Sequence, residues 1–505
     1  MVSRPDADAS PLPHPQLRAR LQELDDLQHA ARVLGWDQQV VMPPGGTAAR
    51  GRAGGTIERL AHERLVDPEL GRMLDEAEAA GADPGLIRAV RRDHEHARRI
   101  PGELVAEIAA AAADAQPVWQ RARETSDFAL FAPALERNLE LRRRVAACFP
   151  DAAHPYDPLL DQFEPGMTTA EVRDVFDRLQ AGLRPLIAAI AGKPLPDPLT
   201  GPFPAAEQQT LALEIARTIG FDDERWRLDV STHPFSEKVG PGDVRVTTRY
   251  DEADLLSGLL STLHEVGHGL YEAQVDPALA GTTTDTGTSL GIHESQSRLW
   301  ENQVGRSRAF WAHWYPRAQE LFGEALGSVD LDAFLHAANV VRPSLIRVEA
   351  DEVTYAMHIV LRFELEVAML EGTVTVADLP AAWNQRIGEL LGVDVPDDAH
   401  GVLQDIHWSF GELGYFPTYA LGSIVSAQLW DAAGAAIPDL EGAISRGDAA
   451  PLRQWLGEHV HRHGRTRTTD EILRETTGGG LDPEPFLRYL TTKFGALYGL
   501  VPNGG

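Results

Sequence analysis

The sequence predicts a mainly α-helical protein, and three observations lead to that prediction. Most long stretches place apolar residues three and four positions apart, the spacing that aligns them on one face of a helix. Clusters of proline and glycine separate these stretches, as in MPPGG at 42–46 and TGGGLDPEP at 477–485. One region, residues 226–250, instead alternates apolar and polar side chains in the manner of β-strands.

The first predicted helix covers residues 17–36, LRARLQELDDLQHAARVLGW, where leucines recur with helical periodicity. Ten further helices are predicted on the same grounds: 55–80, 102–126, 169–191, 205–219, 254–273, 289–304, 351–370, 377–391, 419–433 and 484–498. No stretch resembles an interdomain linker, and no fixed-period repeat indicates a solenoid. We therefore expect one domain, residues 1–505, made of helical lobes.

The exception, WRLDVSTHPFSEKVGPGDVRVTTRY at 226–250, contains two alternating stretches, RLDVS and DVRVTTRY, on either side of a Gly-Pro-Gly turn. This pattern predicts a short pair of strands. The strands lie just before the helix predicted at 254–273, which carries the most informative motif of the chain. We therefore expect a small β-hairpin or sheet beside that helix.

Charge and composition exclude several classes of function. The formal net charge of −29 disfavours binding to nucleic acid or anionic lipid, because both attract positively charged surfaces. No apolar run approaches the roughly 20 residues that span a bilayer, and the first residues lack the apolar core of an export signal. Cys148 is the only cysteine, so no internal disulfide can form. We expect a cytoplasmic protein that binds neither nucleic acid nor membrane.

The helix predicted at 254–273 contains the motif HEVGH. Histidines four residues apart lie on one helical face, so His264 and His268 can each offer a nitrogen to one cation. Glu265 is rotated by about 100° around the helix, where it can contact a water at that cation rather than bind the cation itself. This arrangement is typical of general-base hydrolysis at a metal. The alternative is a chance occurrence of the motif in an ordinary helix.

A catalytic metal usually has three protein ligands, so one more is required. Tyr271 and Gln274 stand where a metzincin would have glycine and histidine, which excludes that class. The helix predicted at 289–304 offers Glu294 and, beside it, His293. Adjacent residues on a helix diverge by about 100°, so only one of the two should point at the cation.

Several motifs, in order along the chain, resemble those of the carboxypeptidase Taq family of metallocarboxypeptidases, within the HExxH-plus-glutamate group of zincins. They are LGWDQQVVMPPGG (34–46), HPF (233–235), DVRVTTR (243–249), HEVGH (264–268), GIHESQSRLWEN (291–302), IRVEADEVTYAMHIVLRFELE (346–366), GVLQDIHWSFGELGYFPTYALG (401–422) and LDPEPFLRYLTTKFGALYGL (481–500). The resemblance covers nearly the whole chain and puts the third ligand at Glu294.

The resemblance implies a single elongated helical domain with a deep central groove and one divalent metal ion per chain at its floor. Zinc is the expected ion, although two histidines and one carboxylate also accept cobalt or manganese. The resemblance further implies a homodimer that removes single residues from the C-termini of peptide substrates. It also implies a broad preference in which C-terminal proline is disfavoured.

The expected reaction is peptide hydrolysis by water at the metal, with Glu265 taking a proton from the water and passing it to the leaving amine. The developing oxyanion needs hydrogen-bond donors. His407, Tyr415 and Tyr419 are the candidates, because related zincins use a histidine and tyrosines that follow the ligand helices. Each of the three could instead be a buried polar residue with a structural partner.

An exopeptidase must also bind the free C-terminal carboxylate, for which a bidentate arginine is well suited. The resemblance points to Arg347, although acidic residues close in sequence could hold it in a structural ion pair. Arg245 is a second candidate, with pairing to Asp243 as the alternative. His233, in HPF, is expected to line the substrate side.

Two other functions compete with this hypothesis. An oligopeptide endopeptidase of the same zincin group would share the metal chemistry but lack a carboxylate-binding arginine. A helical binding protein could retain the motif as a structural metal site, and its function would then survive replacement of Glu265 by glutamine.

Overall fold

The computed structural model describes residues 12–500, so the first 11 and the last five residues of the predicted domain 1–505 lie outside the described part. Helices dominate it, as predicted. The first ten are α1 (Pro15–Val40), α2 (Thr47–Val66), α3 (Pro68–Ala79), α4 (Pro84–Arg99), α5 (Gly102–Thr125), α6 (Phe128–Ala147), α7 (Asp157–Leu160), α8 (Thr169–Ile190), α9 (Ala205–Ile219) and α10 (Leu255–Ala273). The others are α11 (Leu290–Arg298), α12 (Arg308–Leu321), α13 (Gly323–Leu326), α14 (Leu331–Ala338), α15 (Tyr355–Glu371), α16 (Leu379–Leu391), α17 (Pro417–Ala436), α18 (Leu440–Ser445), α19 (Ala450–His459), α20 (Thr469–Thr477) and α21 (Glu484–Leu497).

All eleven predicted helices are present, with one of them divided. The stretch predicted as 55–80 forms α2 and α3, which separate at Asp67. The Asp67 side chain accepts a hydrogen bond from the backbone of Glu69, and Pro68 takes the first helical position, where a missing N–H has no cost. α11 continues into one π-helical turn, Leu299–Val304. Nine helices of the described part were not predicted, namely α4, α6, α7, α12, α13, α14, α18, α19 and α20.

The sheet has three strands rather than the predicted two: β1 (Trp226–Val230), β2 (Ser236–Gly240) and β3 (Asp243–Thr248), in the order β1-β3-β2. The two predicted stretches are neighbours, but they run parallel. The Gly-Pro-Gly turn instead joins β3 to the antiparallel β2. β2 escaped prediction because it does not alternate: its last three residues are all buried, including Lys238, whose charge argued against burial.

Two large hydrophobic clusters meet along α17. One joins α5, α6, α8, α15, α16 and α21, and the other joins α9 to α12, α14, α19 and the sheet. Leu421 and Ile424 of α17 pack in the first cluster, whereas Val425 and Leu429 pack in the second. A smaller cluster joins α1, α3 and α4. Within residues 12–500, no helix combines the length and the apolarity needed to cross a membrane.

Candidate metal centre

Three side chains from two neighbouring helices converge on one point. His264 and His268 stand one turn apart on α10, and Glu294 comes from α11. The Oε2 atom of Glu294 lies 3.5 Å from Nε2 of His264 and 3.4 Å from Nε2 of His268. Ligand atoms placed about 2.0–2.1 Å from a tetrahedral cation are separated by roughly 3.3–3.4 Å. The donor set and its spacing therefore suit one small divalent ion.

Two glycines let three helices approach closely enough for this convergence. A Cβ atom on Gly267 of α10 would lie 2.7 Å from the carbonyl oxygen of Gln296 in α11. A Cβ atom on Gly422 of α17 would lie 2.5 Å from Cγ of Glu294. Both separations are shorter than real Cβ contacts, so any larger side chain would push α11, and with it Glu294, out of position.

The Glu294 carboxylate is held at both oxygens. Arg298, one turn further along α11, donates to Oε1 over 2.7 Å, and the hydroxyl of Ser297 donates to Oε2 over 3.0 Å. Burial alone would raise the pKa of Glu294, but Arg298 and the two histidines together hold that pKa well below its ordinary value. The side chain is therefore ionised, and residues of its own helix set its orientation.

His264 is supported from behind by a second carboxylate. Its Nδ1 atom lies 2.9 Å from Oε2 of Glu301, which belongs to the π-helical turn after α11. Arg298 and Arg306 lie 3.4 and 3.8 Å from the same carboxylate. Burial opposes ionisation of Glu301, yet Arg298 and His264 lower the pKa of Glu301 to about 2. The ring of His264 is thus oriented with Nε2 facing Glu294.

His268 is supported differently, through another histidine. Its Nδ1 atom lies 2.6 Å from Nδ1 of His293, and Nε2 of His293 lies 2.8 Å from Oε1 of Glu272. Burial would raise the pKa of Glu272, but the hydrogen bond from His293, together with the charge of Lys238, lowers it to about 2. His293, a possible third ligand by sequence, therefore lies behind His268 and not beside Glu294.

Glu265 is buried beside these ligands. No described residue donates a hydrogen bond to its carboxylate, in contrast to Glu294 and Glu301. Burial raises the pKa of Glu265 to about 7, with nearby His264 opposing the shift and Glu294 adding to it. A carboxylate with a pKa near neutrality is suited to accept and release a proton at physiological pH.

His407, Tyr415 and Tyr419 lie together, with Tyr355 beside them, and we call these four residues the tyrosine wall. The rings of Tyr415 and Tyr419 are 5.4 Å apart, and that of Tyr355 is 6.3 Å from Tyr419. Arg298 connects the wall to the ligands, because its guanidinium lies 4.4 Å over the ring of Tyr355. Burial raises the pKa of Tyr415 to about 12, and the charge of Glu294 contributes. The wall thus adjoins the carboxylate ligand.

The tautomer of His407 follows from its surroundings. Burial lowers the pKa of His407 to about 4, so the ring is neutral at pH 7. Its Nε2 lies 3.3 Å from the hydroxyl of Tyr419, whereas Nδ1 is buried without a partner among the described residues. A buried N–H without a partner is rarer than an unpaired acceptor. The hydrogen therefore belongs on Nε2, which donates to Tyr419 and leaves the tyrosine hydrogen available to another acceptor.

Arg347 lies against this wall and is almost fully buried. Its Nε and Nη2 atoms are each 2.9 Å from Oδ1 of Asp405, and Nη1 donates to the hydroxyl of Tyr355 over 3.1 Å. Asp405 also accepts from the fully buried Arg362. Two guanidinium groups therefore share one carboxylate, which leaves a net positive charge. This charge is next to Tyr419, because the guanidinium carbon of Arg347 lies 4.9 Å from the centre of the Tyr419 ring. The ion pair anticipated for Arg347 exists, but with Asp405 and not with acids close in sequence.

The remaining two candidates lie on the sheet. Arg245, on β3, donates to both carboxylate oxygens of Asp243 over 2.9 and 2.8 Å, and its guanidinium lies 4.3 Å over the ring of Trp36. His233 is exposed in the loop between β1 and β2, and its side chain makes no hydrogen bond within residues 12–500. Neither side chain contacts the three ligand residues.

Sequence reasoning missed most of the residues that support the ligands. Glu272 follows His268 by four positions, so the spacing that selected the two histidines also places Glu272 on their face of α10. Asp405 stands two residues before His407, but nothing local indicates that it would meet Arg347 and Arg362. Such long-range pairs are visible only in the folded chain.

This helical fold, with two histidines on one helix and a carboxylate on the next, defines a metal-dependent peptide hydrolase. The chain belongs to the carboxypeptidase Taq (M32) metallopeptidase family, whose model matches residues 16–494. It is a metallocarboxypeptidase, as predicted.

Curated relatives and solved structures agree with this assignment. The chain is 41% identical over 483 residues to thermostable carboxypeptidase 1 of Thermus thermophilus, covering 92% of this chain and 94% of the relative. It is 37% identical over 491 residues to carboxypeptidase 1 of Bacillus subtilis, covering 95% and 97%. The crystal structure of the M32 carboxypeptidase from Deinococcus radiodurans superposes with a TM-score of 0.93 at 41% identity, covering 96% of this chain and 99% of that one.

Proposed function

We propose that this metallocarboxypeptidase removes single residues from peptide C-termini with broad specificity, using one divalent cation held by His264, His268 and Glu294. The observation that carries the proposal is the convergence of three ligand atoms at separations of 3.4 and 3.5 Å, each ligand oriented by a hydrogen-bonded partner. Zinc is the proposed ion because two nitrogens and one carboxylate oxygen in this spacing match its tetrahedral preference.

In the proposed reaction, a bound cation supplies Lewis acidity, which polarises the scissile carbonyl and makes water a stronger acid. Glu265 accepts the proton of the attacking water and delivers it to the leaving amine. Tyr419, whose hydroxyl accepts a hydrogen bond from His407, donates its own hydrogen to the developing oxyanion, and Tyr415 is the second donor. The neutral state of His407 supports these roles, because a neutral ring donates from Nε2 to Tyr419.

The C-terminal carboxylate of the substrate is proposed to bind beside Arg347. The group of Arg347, Arg362 and Asp405 carries a net positive charge, which attracts an anion to a buried site. Asp405 occupies the Nε edge of Arg347. The substrate is therefore proposed to meet the Nη1 edge, next to the hydroxyl of Tyr355.

His233 and Arg245 are proposed to line the substrate groove further from the metal. The exposure of His233 supports contact with a substrate, whereas Arg245 has one edge bound by Asp243 and one face covered by Trp36. We expect smaller effects from replacing either residue than from replacing Arg347.

We also propose a cytoplasmic homodimer with peptides as its substrates. The dimer rests on the family resemblance, and the net charge of −29 argues against nucleic acid and anionic membranes as partners. Light scattering coupled to size-exclusion chromatography would measure a mass near twice 55.1 kDa if the chain is a dimer.

The first experiment uses two matched peptides, an N-acylated Ala-Arg and the same peptide with an amidated C-terminus. Metal-stripped protein is assayed with and without zinc or cobalt, beside Glu265→Gln. We expect metal-dependent release of arginine from the free acid alone, and a loss of about 10²- to 10⁴-fold in kcat for Glu265→Gln with its metal retained. Equal cleavage of the amidated peptide would instead indicate an endopeptidase, and an unaffected Glu265→Gln would refute the general base.

A further inference from the structure

The side of His268 that faces away from Glu294 carries a series of buried and half-buried polar side chains that the proposed reaction does not use. His268 contacts His293, His293 contacts Glu272, and Lys238 of β2 lies 3.9 Å from Glu272. Lys238 also donates to Asp285 over 2.6 Å. Glu272 and Lys238 are each at least nine-tenths buried. Charged groups are retained in such surroundings only where they are paired, so this arrangement needs an explanation.

Metal binding by His268 would determine the position of each ring hydrogen on His268 and His293. If His268 binds the cation through Nε2, as the proposed function requires, its remaining hydrogen must be on Nδ1. The Nδ1 atom of His293, 2.6 Å away, must then be the acceptor. A neutral His293 consequently carries its hydrogen on Nε2 and donates it to Glu272 over 2.8 Å. Only one arrangement of hydrogens satisfies all three side chains.

The residues around Glu272 stabilise its ionised carboxylate rather than the neutral carboxylic acid. The Oε1 atom of Glu272 also accepts hydrogen bonds from the hydroxyl of Thr286, over 2.7 Å, and from the backbone of Gly287, over 3.1 Å. With His293, three donors point at one oxygen, and Lys238 adds a positive charge. Hydrogen bonds to an ionised acceptor are about twice as strong as neutral ones, so the orientation of His293 is well determined.

We propose that His293 and Glu272 are positioning residues for the metal centre, forming a two-residue relay that fixes the tautomer and ring orientation of His268. This inference rests on the proposed ligand set. His293 itself binds no metal, because both of its ring nitrogens are engaged. The two ligand histidines are thus oriented by different means, His264 by Glu301 directly and His268 by Glu272 through an intervening imidazole.

The test measures zinc affinity by chelator competition in four variants, without relying on turnover. Glu272→Gln removes the charge, and His293→Leu removes both hydrogen bonds. His293→Gln restores one acceptor and one donor in a side chain of similar reach. The matched control is His461→Leu, because the His461 ring also packs against Tyr271, at 5.0 Å, yet His461 bonds Gln274 and Gln296 instead of His268.

We expect zinc to bind about 10- to 100-fold more weakly to Glu272→Gln and His293→Leu, the effect typical of groups that orient a ligand. His293→Gln should recover part of that loss, His461→Leu should bind as the wild type does, and the visible spectrum of the cobalt form should change only in the relay variants. Glu272→Gln keeps the size of the side chain, so it decides the question if His293→Leu does not fold.

If Glu272→Gln and His293→Leu bound zinc as tightly as the wild type, the relay would be wrong. It would also be wrong if His293→Gln bound zinc no more tightly than His293→Leu. A His268→Gln variant, measured alongside, separates this failure from that of the proposed function. If His268→Gln loses zinc while the relay variants keep it, only the relay is wrong. If His268→Gln binds zinc as the wild type does, the ligand set itself is wrong, and the relay with it.

Discussion

The ligand helices and the tyrosine wall form two sides of one site, but they differ in how completely their polar groups are paired. On α10 and α11, His264, His268 and Glu294 are each held by a hydrogen-bonded partner. In the wall, Nδ1 of His407 has no partner within residues 12–500.

This difference fits the proposed roles, in which the ligand helices bind a cation and the wall binds the substrate. Side chains whose partners are all in place have their geometry set before any ligand arrives, which is what a metal site requires. The wall holds the hydroxyl groups of Tyr415 and Tyr419 next to the net positive charge around Arg347, and donors and positive charge are what a substrate carboxylate and a developing oxyanion would require. We therefore expect substitutions near the ligands to change metal affinity and substitutions at the wall to change KM.

The largest effect is expected at the shared ligand. Glu294→Gln keeps the side-chain shape against Gly422 but removes the charge that both histidines and Arg298 face. We expect loss of bound metal and a fall in kcat/KM of roughly 10²- to 10⁴-fold, because metal assistance supplies several kcal/mol of transition-state stabilisation. Metal content by atomic emission and peptide assays would measure both. Glu320→Gln, an exposed carboxylate on α12, is the control, and full metal content in Glu294→Gln would contradict the assignment.

The next largest effect is expected at Arg347, and it can be compared with the effect at Arg362, which shares Asp405 with Arg347. Arg347→Lys keeps the charge but loses the planar fork, and we expect KM to rise by about 10- to 100-fold for free-acid peptides, with metal affinity unchanged. Arg362 is fully buried, so Arg362→Lys should instead lower the free energy of unfolding by about 1.5–3 kcal/mol. Steady-state kinetics and urea denaturation distinguish the two, and an unchanged KM in Arg347→Lys would exclude Arg347 from substrate binding.

A smaller effect is expected where α17 touches the ligand helix. Gly422→Ala would place a methyl group against Glu294, lowering the free energy of unfolding by about 1–3 kcal/mol and weakening metal binding. On the same helix, a Cβ atom on Gly434 would meet no atom of a neighbouring element within 4 Å. Gly434→Ala should therefore stabilise the protein by about 0.5–1 kcal/mol. Equal stabilisation by both substitutions, measured by urea denaturation, would show that the close contact at Gly422 does not exist.

The smallest effect concerns the N-terminus of α11. Glu164 is fully buried there and accepts a hydrogen bond from the backbone of Gly291. Burial raises its pKa to about 8, partly opposed by Ser289 and Gly291. A raised folded-state pKa stabilises the protein fully below the ordinary value of 4.5, and this stabilisation is lost as the pH rises through about 8.

Between pH 6.5 and 7.5, the wild type should therefore lose up to about 1.4 kcal/mol of unfolding free energy that Glu164→Gln keeps. Urea denaturation of both proteins at the two pH values measures this difference. Parallel changes in the two proteins would show that Glu164 is already ionised in the folded state.

A recurring apolar face is a local property, and it predicted most of the long helices, although α6 has such a face and was still missed. α4 was missed because charged residues fill RRDHEHARR, and β2 was missed because buried Lys238 interrupts its apolar pattern. The ligand pair on α10 was predictable from a four-residue spacing. The Glu272–His293 contact and the Asp405 pairs were not, because they join residues whose proximity depends on how helices pack.

The position of α17 in both large hydrophobic clusters has a consequence for how the protein is made. Its residues 417–436 lie late in the chain, yet they complete apolar surfaces contributed by helices that begin more than 200 residues earlier. A nascent chain therefore exposes both surfaces until most of its length has left the ribosome. Chaperone binding during synthesis should accordingly persist until α17 emerges and the two clusters close together.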